Sequence, residues 1–181
     1  MLRISPLFFC LLLFSVSAYA AVEKTTNPAS GLSKWKAVEQ GFSLEIIQLS
    51  ADYVRAVFLA RGLPENVVEE ISQYCLFGNI IKNNSNAEIT AHVSDWRFVT
   101  GDGEKHKLKL KSEWVKEWSS KGVAFRWLML AEQQSFDEGD WIQGFSSVAL
   151  KPGSIFDLHY SWTTHGKTVN KIIKGVQCAP K

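Results

Sequence analysis

Cys75 and Cys178 are the residues of this chain best placed for covalent chemistry. An even pair of thiols in an exported chain reads as one disulfide, and no C-x-x-C spacing competes for a redox or metal role. Such a bridge closes a loop on the order of 100 residues and ties the tail, 175–181, to the middle of the chain. The four histidines are His92, His106, His159 and His165. His159 and His165 fall near the end of one expected strand and the turn that follows. With Asp157 they would offer copper or zinc a site, since imidazole suits both metals. No H-x-H, H-x-x-x-H or Cys/His cluster accompanies them, so scattered surface histidines are the competing reading. Asp137-Glu138-Gly139-Asp140 carries oxygens that suit calcium, but without the full spacing of an EF-hand loop. The same residues build an ordinary hairpin turn.

Two charged or aromatic clusters remain. Lys105, Lys107, Lys109 and Lys111 alternate with other residues, and Leu108 and Leu110 lie between them. The pattern fits an edge strand whose lysines block edge-to-edge pairing, or a basic patch that grips an acidic partner. Trp114 and Trp118 are four apart and share one face if they lie on a helix. Exposed, such a pair binds sugars, peptides or partner proteins; buried, it fills a core. Trp114, Trp118, Lys107, Lys109 and Lys111 together form the expected contact patch. Trp96, Trp127, Trp141 and Trp162 fall in expected strands and read as core. Arg55 and Arg61 flank an apolar run and are expected to pair with nearby acids. There is no G-x-S-x-G elbow and no G-x-G-x-x-G phosphate loop, so nothing in the sequence calls for an enzyme.

These residues need a frame and a compartment. Arg3 precedes the apolar run Leu7 to Val16, and Ala18-Tyr19-Ala20 supplies small residues two apart. That is the layout of a secretory signal peptide over residues 1–20, with cleavage expected before Ala21. The run is too short to span a bilayer, which takes about 20 residues. Cys10 lies inside it and leaves with it. The chain holds 20 Lys+Arg and 18 Asp+Glu; without Arg3 the balance is 19 against 18, a net charge of +1. Such a balance gives no reason to expect nucleic acid as a partner. The remaining 161 residues fit one domain, with 21–33 as a polar tether and 34–181 as the folded part.

Within 34–181 the period-2 pattern predicts short strands: 42–49, 54–60, 74–82, 87–99, 125–130, 141–150, 155–162 and 169–176. Pro64 to about Gln73 changes period and predicts a short helix, and Ser112 would cap a second one carrying Trp114 and Trp118. Asn83-Asn84-Ser85, Gly101-Asp102-Gly103, Pro152-Gly153 and His165-Gly166 read as turns. The segment Ile80-Ile81-Lys82-Asn83-Asn84-Ser85 resembles strand-to-turn pieces of exported immunoglobulin-like sandwiches. The expectation is a mainly β fold: one antiparallel, immunoglobulin-like β-sandwich with one or two short helices and one disulfide. The expected function is that of a periplasmic or secreted, non-catalytic binding or accessory protein. It would act on a protein or small ligand through an aromatic and basic surface. A copper- or zinc-handling protein is the alternative.

Overall fold

A computed structural model describes residues 22–180. The expected leader, 1–20, lies outside the described residues. Two antiparallel sheets face each other. Sheet A orders β1 (Glu23–Thr26), β2 (Ser33–Glu39), β3 (Phe42–Gln48), β4 (Cys75–Asn83) and β9 (Trp141–Val148). In sheet B, β10 (Ile155–Thr164) is central. One of its edges pairs along its length with β11 (Lys167–Gln177). The other edge pairs first with β6 (Arg97–Thr100) and then with β5 (Ile89–His92), which a single 3-10 turn, Val93–Asp95, separates. The outer ribs are β7 (Lys105–Lys107) on β6 and β8 (Gln133–Phe136) on β5. Four consecutive strands lie side by side in sheet A, whereas the immunoglobulin order splits consecutive strands between its sheets.

Alternation explains the packing. In β3, Phe42, Leu44 and Ile46 face inward while Ser43, Glu45 and Ile47 face out, the period-2 geometry of a strand. Their inner face meets Phe98, Phe156, Leu158, Tyr160 and Trp162 of sheet B, and Phe42 stacks on Trp162 at 4.6 Å between centroids. Two hairpins turn on residues with positive φ, Gln40-Gly41 and His165-Gly166, the geometry of primed two-residue turns. Gly41 cannot be replaced there: a Cβ would stand 2.3 Å from that of Ser85. The Cys75–Cys178 disulfide joins the first residue of β4 to the residue after β11, and so ties sheet A to sheet B.

Three helices cover one half of the outer face of sheet A. They are α1 (Ala51–Ala60), α2 (Glu65–Ser72) and α3 (Lys111–Ser120). α2 falls where the sequence places it. The run 54–60, expected as a strand, is helix α1 instead. Ser50 caps it, its Oγ accepting from the Tyr53 N–H at 3.2 Å, and Val54 and Phe58, four apart, form its buried stripe. Exposed Tyr53 and Leu59 fill the other face. Ser112 does not cap α3; it lies inside the first turn, and its N–H donates to Glu132. The segment 125–130 is not a regular strand. It runs across the helices, with Phe125 edge-on to Phe58 and Trp118. Part of the expected tether, Glu23–Thr26, pairs with β2.

The helices enclose a second core of Val54, Phe58, Val67, Val68, Ile71, Leu76, Trp114, Trp118 and Met129. No described helix is long and apolar enough to cross a membrane.

Candidate ligand-binding groove

The expected contact patch does not exist as a surface. Trp114 is 0% and Trp118 1% exposed, stacked at 5.4 Å in the second core. Burial of an apolar helix stripe outweighs any use of the pair as a platform. The Trp114 indole N–H donates to Ser147 Oγ at 2.8 Å. Lys109 is captured too. Its ammonium lies 3.7 Å above the Trp114 ring and 4.9 Å from that of Tyr74, and donates to Glu117. Lys107 is exposed on the edge strand β7, and Lys111 opens α3. Leu108 is buried beside them. Lys105 and Lys107 alone lie on the sheet edge; Lys109 and Lys111 have left it.

The Lys109 contact makes a pH prediction. The hydrogen bond from Lys109 holds the Glu117 carboxyl below its ordinary value of 4.5, against the opposing effect of burial. A lowered folded-state pKa stabilises the fold above the ordinary value, and the contribution is lost as pH falls through the lowered one. Melting temperature is expected to drop more steeply on acidification below pH 4.5 in the wild type than in Lys109→Met. Parallel curves would show that the pair carries no such linkage.

His159 and His165 are not brought together. His159 sits within β10 opposite Ile172, and His165 lies in the hairpin turn six residues on, roughly 20 Å along an extended chain. Asp157 accepts from the Gly175 N–H at 3.0 Å. Among the described residues no group of three or more His, Cys, Asp or Glu side chains converges. Asp137 to Asp140 closes no hairpin: it is the turn that carries the chain from β8 in sheet B to β9 in sheet A, Asp140 accepting from the Asp137 N–H at 3.1 Å. Arg55 pairs with Glu69 at 2.7 Å and with Asp52 at 3.1 Å. Trp96 and Trp162 are core, as expected. Trp127 and Trp141 are not: they are 70% and 60% exposed.

A broad concavity lies where the helical cover of sheet A stops. It holds about 800 Å³, within the range of small-molecule sites. Its floor is a cross-strand row on the outer face: Lys34 on β2, Ile47 on β3, Gly78 on β4 and Phe145 on β9. Ile80 and Gln143 begin the next row outward. Leu49 and Leu128 close the helical end, Tyr53 stands beside it, and the β1–β2 connection with Leu32 forms the remaining wall.

Local sequence explains the shape. Gly78 has no side chain to fill the row; a Cβ there would meet only Leu49 and Ile47, at 3.7 and 3.8 Å. Gln48 locks the wall, its Oε1 accepting from the Ser33 N–H and its Nε2 donating to the Gln177 carbonyl. Tyr53, on the unburied face of α1, stays 52% exposed. Charge lies in the row beside the floor. Glu45, in the same row as Ile80, accepts from Lys34 at 3.1 Å and from Lys36 at 3.2 Å. Burial raises the Glu45 pKa, yet the two lysine hydrogen bonds leave it lowered overall.

Sequence reasoning missed this place. The alternation Lys34-Trp35-Lys36-Ala37, with Trp35 and Ala37 buried, was a legible strand signal for β2. The groove itself had none, because it depends on a glycine and on where three helices end.

The chain matches no protein-family model, no curated protein and no solved structure.

Proposed function

We propose that this is an exported, non-catalytic binding protein that holds a small, largely apolar ligand in the groove on the outer face of sheet A. The observation that carries the reading is the groove itself: about 800 Å³, floored by Ile47, Gly78 and Phe145 and rimmed by Tyr53, Lys34 and Gln143. A mostly apolar hollow with a few polar groups at its edge is the general form of a ligand site. The aromatic and basic surface expected from the sequence is thus reassigned to Tyr53, Phe145, Lys34 and Lys36. Two facing antiparallel sheets joined by a disulfide supply a rigid frame for the groove. Export rests on the leader at 1–20 and agrees with the oxidised thiol pair.

The test is solvent extraction of the purified protein and of Gly78→Leu, with mass spectrometry of both extracts. Gly78 has an ordinary backbone conformation and room for a Cβ, so the variant fills the hollow without strain in the strand. An apolar compound is expected from the wild type and not from the variant. Identical extracts would end the reading. For export, N-terminal sequencing of protein recovered outside the cytoplasm should begin at Ala21; a retained Met1 would contradict it.

A further inference from the structure

We infer that the edge of β9 at Trp141–Gln143 captures an extended peptide, which joins sheet A as a further strand beside Trp127 and Trp141. The inference uses the backbone edge, not the groove, and stands without a ligand there. In an antiparallel ladder, alternate residues turn both backbone groups toward the same neighbour. The odd-numbered residues of β9 turn theirs away from β4. The Phe145 N–H donates to the Leu128 carbonyl at 2.5 Å, and the Phe145 carbonyl accepts from the Leu130 N–H at 2.9 Å. The Ser147 carbonyl accepts from the Lys109 N–H at 2.9 Å. The chain's own segments thus cover this edge at 145 and 147. By the same parity the N–H and C=O of Trp141 and Gln143 point outward, and among the described residues no backbone group bonds to them.

The edge is also unguarded. β1 carries Glu23 and Lys24, and β7 carries Lys105 and Lys107. β11 carries Lys167, Lys171 and Lys174, with a bulge at Lys174-Gly175. Charges and bulges of this kind keep foreign strands off an edge. β8 is uncharged but presents two glutamines and a serine. Trp141-Ile142-Gln143 has no charge, proline or bulge. Five of the seven tryptophans are at most 1% exposed, and the two exposed ones flank this edge. Trp141 begins β9, and Trp127 precedes Leu128, where the edge becomes covered. Ile142, between Trp141 and Gln143, packs against the main core. An added strand would set an apolar residue beside Ile142 and an aromatic or β-branched one beside Trp141, pairs that stabilise sheets. A second copy fits poorly. Two antiparallel β9 strands centred on Ile142 would set Phe145 of one copy opposite Gly139 of the other. The 128–130 segment held by Phe145 would then run into the 137–140 turn. A short extended peptide meets no such obstacle, and recognition of this kind takes its affinity from main-chain bonds.

The experiment is titration of the protein with a soluble six-residue peptide of alternating threonine and valine, capped at both ends, with amide hydrogen exchange followed by NMR. The peptide is expected to slow exchange at the Trp141 and Gln143 amides; unchanged exchange at both would overturn the inference. Gln143→Pro removes one outward donor but no bond to β4, so it should abolish binding and melt like the wild type. Trp141→Ala, at an exposed position, serves if the proline variant does not fold, and should weaken the peptide by about tenfold. The same peptide N-methylated at every amide should not bind, and equal binding would rule out strand addition. Gly78→Leu should bind the peptide as the wild type does; loss there would put the peptide in the groove and end the inference. A soluble hexasaccharide that binds where the peptide does not would make the two indoles a sugar platform. A concentration-dependent dimer without peptide binding would give the edge to a second copy. Either result overturns the peptide reading.

Discussion

Removing the Cys75–Cys178 bridge is expected to lower stability by about 4–5 kcal/mol, the chain-entropy value for so large a loop. The two cysteines are 103 positions apart, so the bridge restricts more than half the described chain in the unfolded state. It also holds the two sheets together at one corner. Cys75 begins β4, Cys178 follows β11, and the Cys178 N–H donates to the Ser154 carbonyl at 2.9 Å. Small domains are stable by only about 5–15 kcal/mol, so the loss takes a large share of the total. The measurement is urea unfolding of the wild type and of Cys75→Ala, Cys178→Ala. An unchanged midpoint would show that the staple contributes nothing. Reducing agent should reproduce the shift in the wild type and leave the double variant unaffected.

Truncating Trp114 or Trp118 to alanine is expected to cost about 3–5 kcal/mol each, the range for deleting a large buried aromatic. Both rings are in the second core, among Phe58, Phe125 and Tyr74. Their contributions differ in kind, which phenylalanine would show. The Trp114 N–H bonds to Ser147, and its ring carries the Lys109 ammonium. The buried Trp118 N–H has no partner. Trp118→Phe should therefore be milder than Trp114→Phe, because only the latter removes a buried hydrogen bond. The two truncations are in contact and should not add. Thermal unfolding of the five variants, including the alanine pair, decides the matter. Near-neutral effects for Trp114→Ala and Trp118→Ala would mean that the helices do not pack on the sheet as described.

Gly78, on the groove floor, is a different case, because it has no side chain in either core. Gly78→Leu should unfold close to the wild type while changing what is bound. Stability and binding are separable at Gly78 because it belongs to neither core, whereas Leu49, Leu128 and Phe145 of the groove also pack against the second core.

Much of the frame was legible in the chain. Period-2 alternation marked β3, β9, β10 and β11, and the Pro64 turn signal with Val67, Val68 and Ile71 marked α2. The pairing of Cys75 with Cys178 needed a count of thiols and the assignment of Cys10 to the expected leader. The errors came where short apolar runs fit either period. Val54 to Ala60 is rich in strand-forming residues, yet Ser50 caps it and the second core needs Val54 and Phe58 on one side, so it is helix. β8, with the polar sequence Gln133-Gln134-Ser135-Phe136, left almost no pattern, because only Phe136 is buried.

Residue types and spacing by themselves determined the β-rich class, the thiol pair and the presence of aromatic and basic clusters, since these follow from local periodicity and simple counting. Only the tertiary structure decided which clusters meet solvent. Trp114 and Lys109 look like surface chemistry in sequence, but helix α3 turns Trp114 into the second core, and the Lys109 ammonium lies over its ring. Lys34, Gly78 and Phe145 lie far apart in the chain, and only strand register sets them in one row. Register is a property of paired strands, and no single segment encodes it.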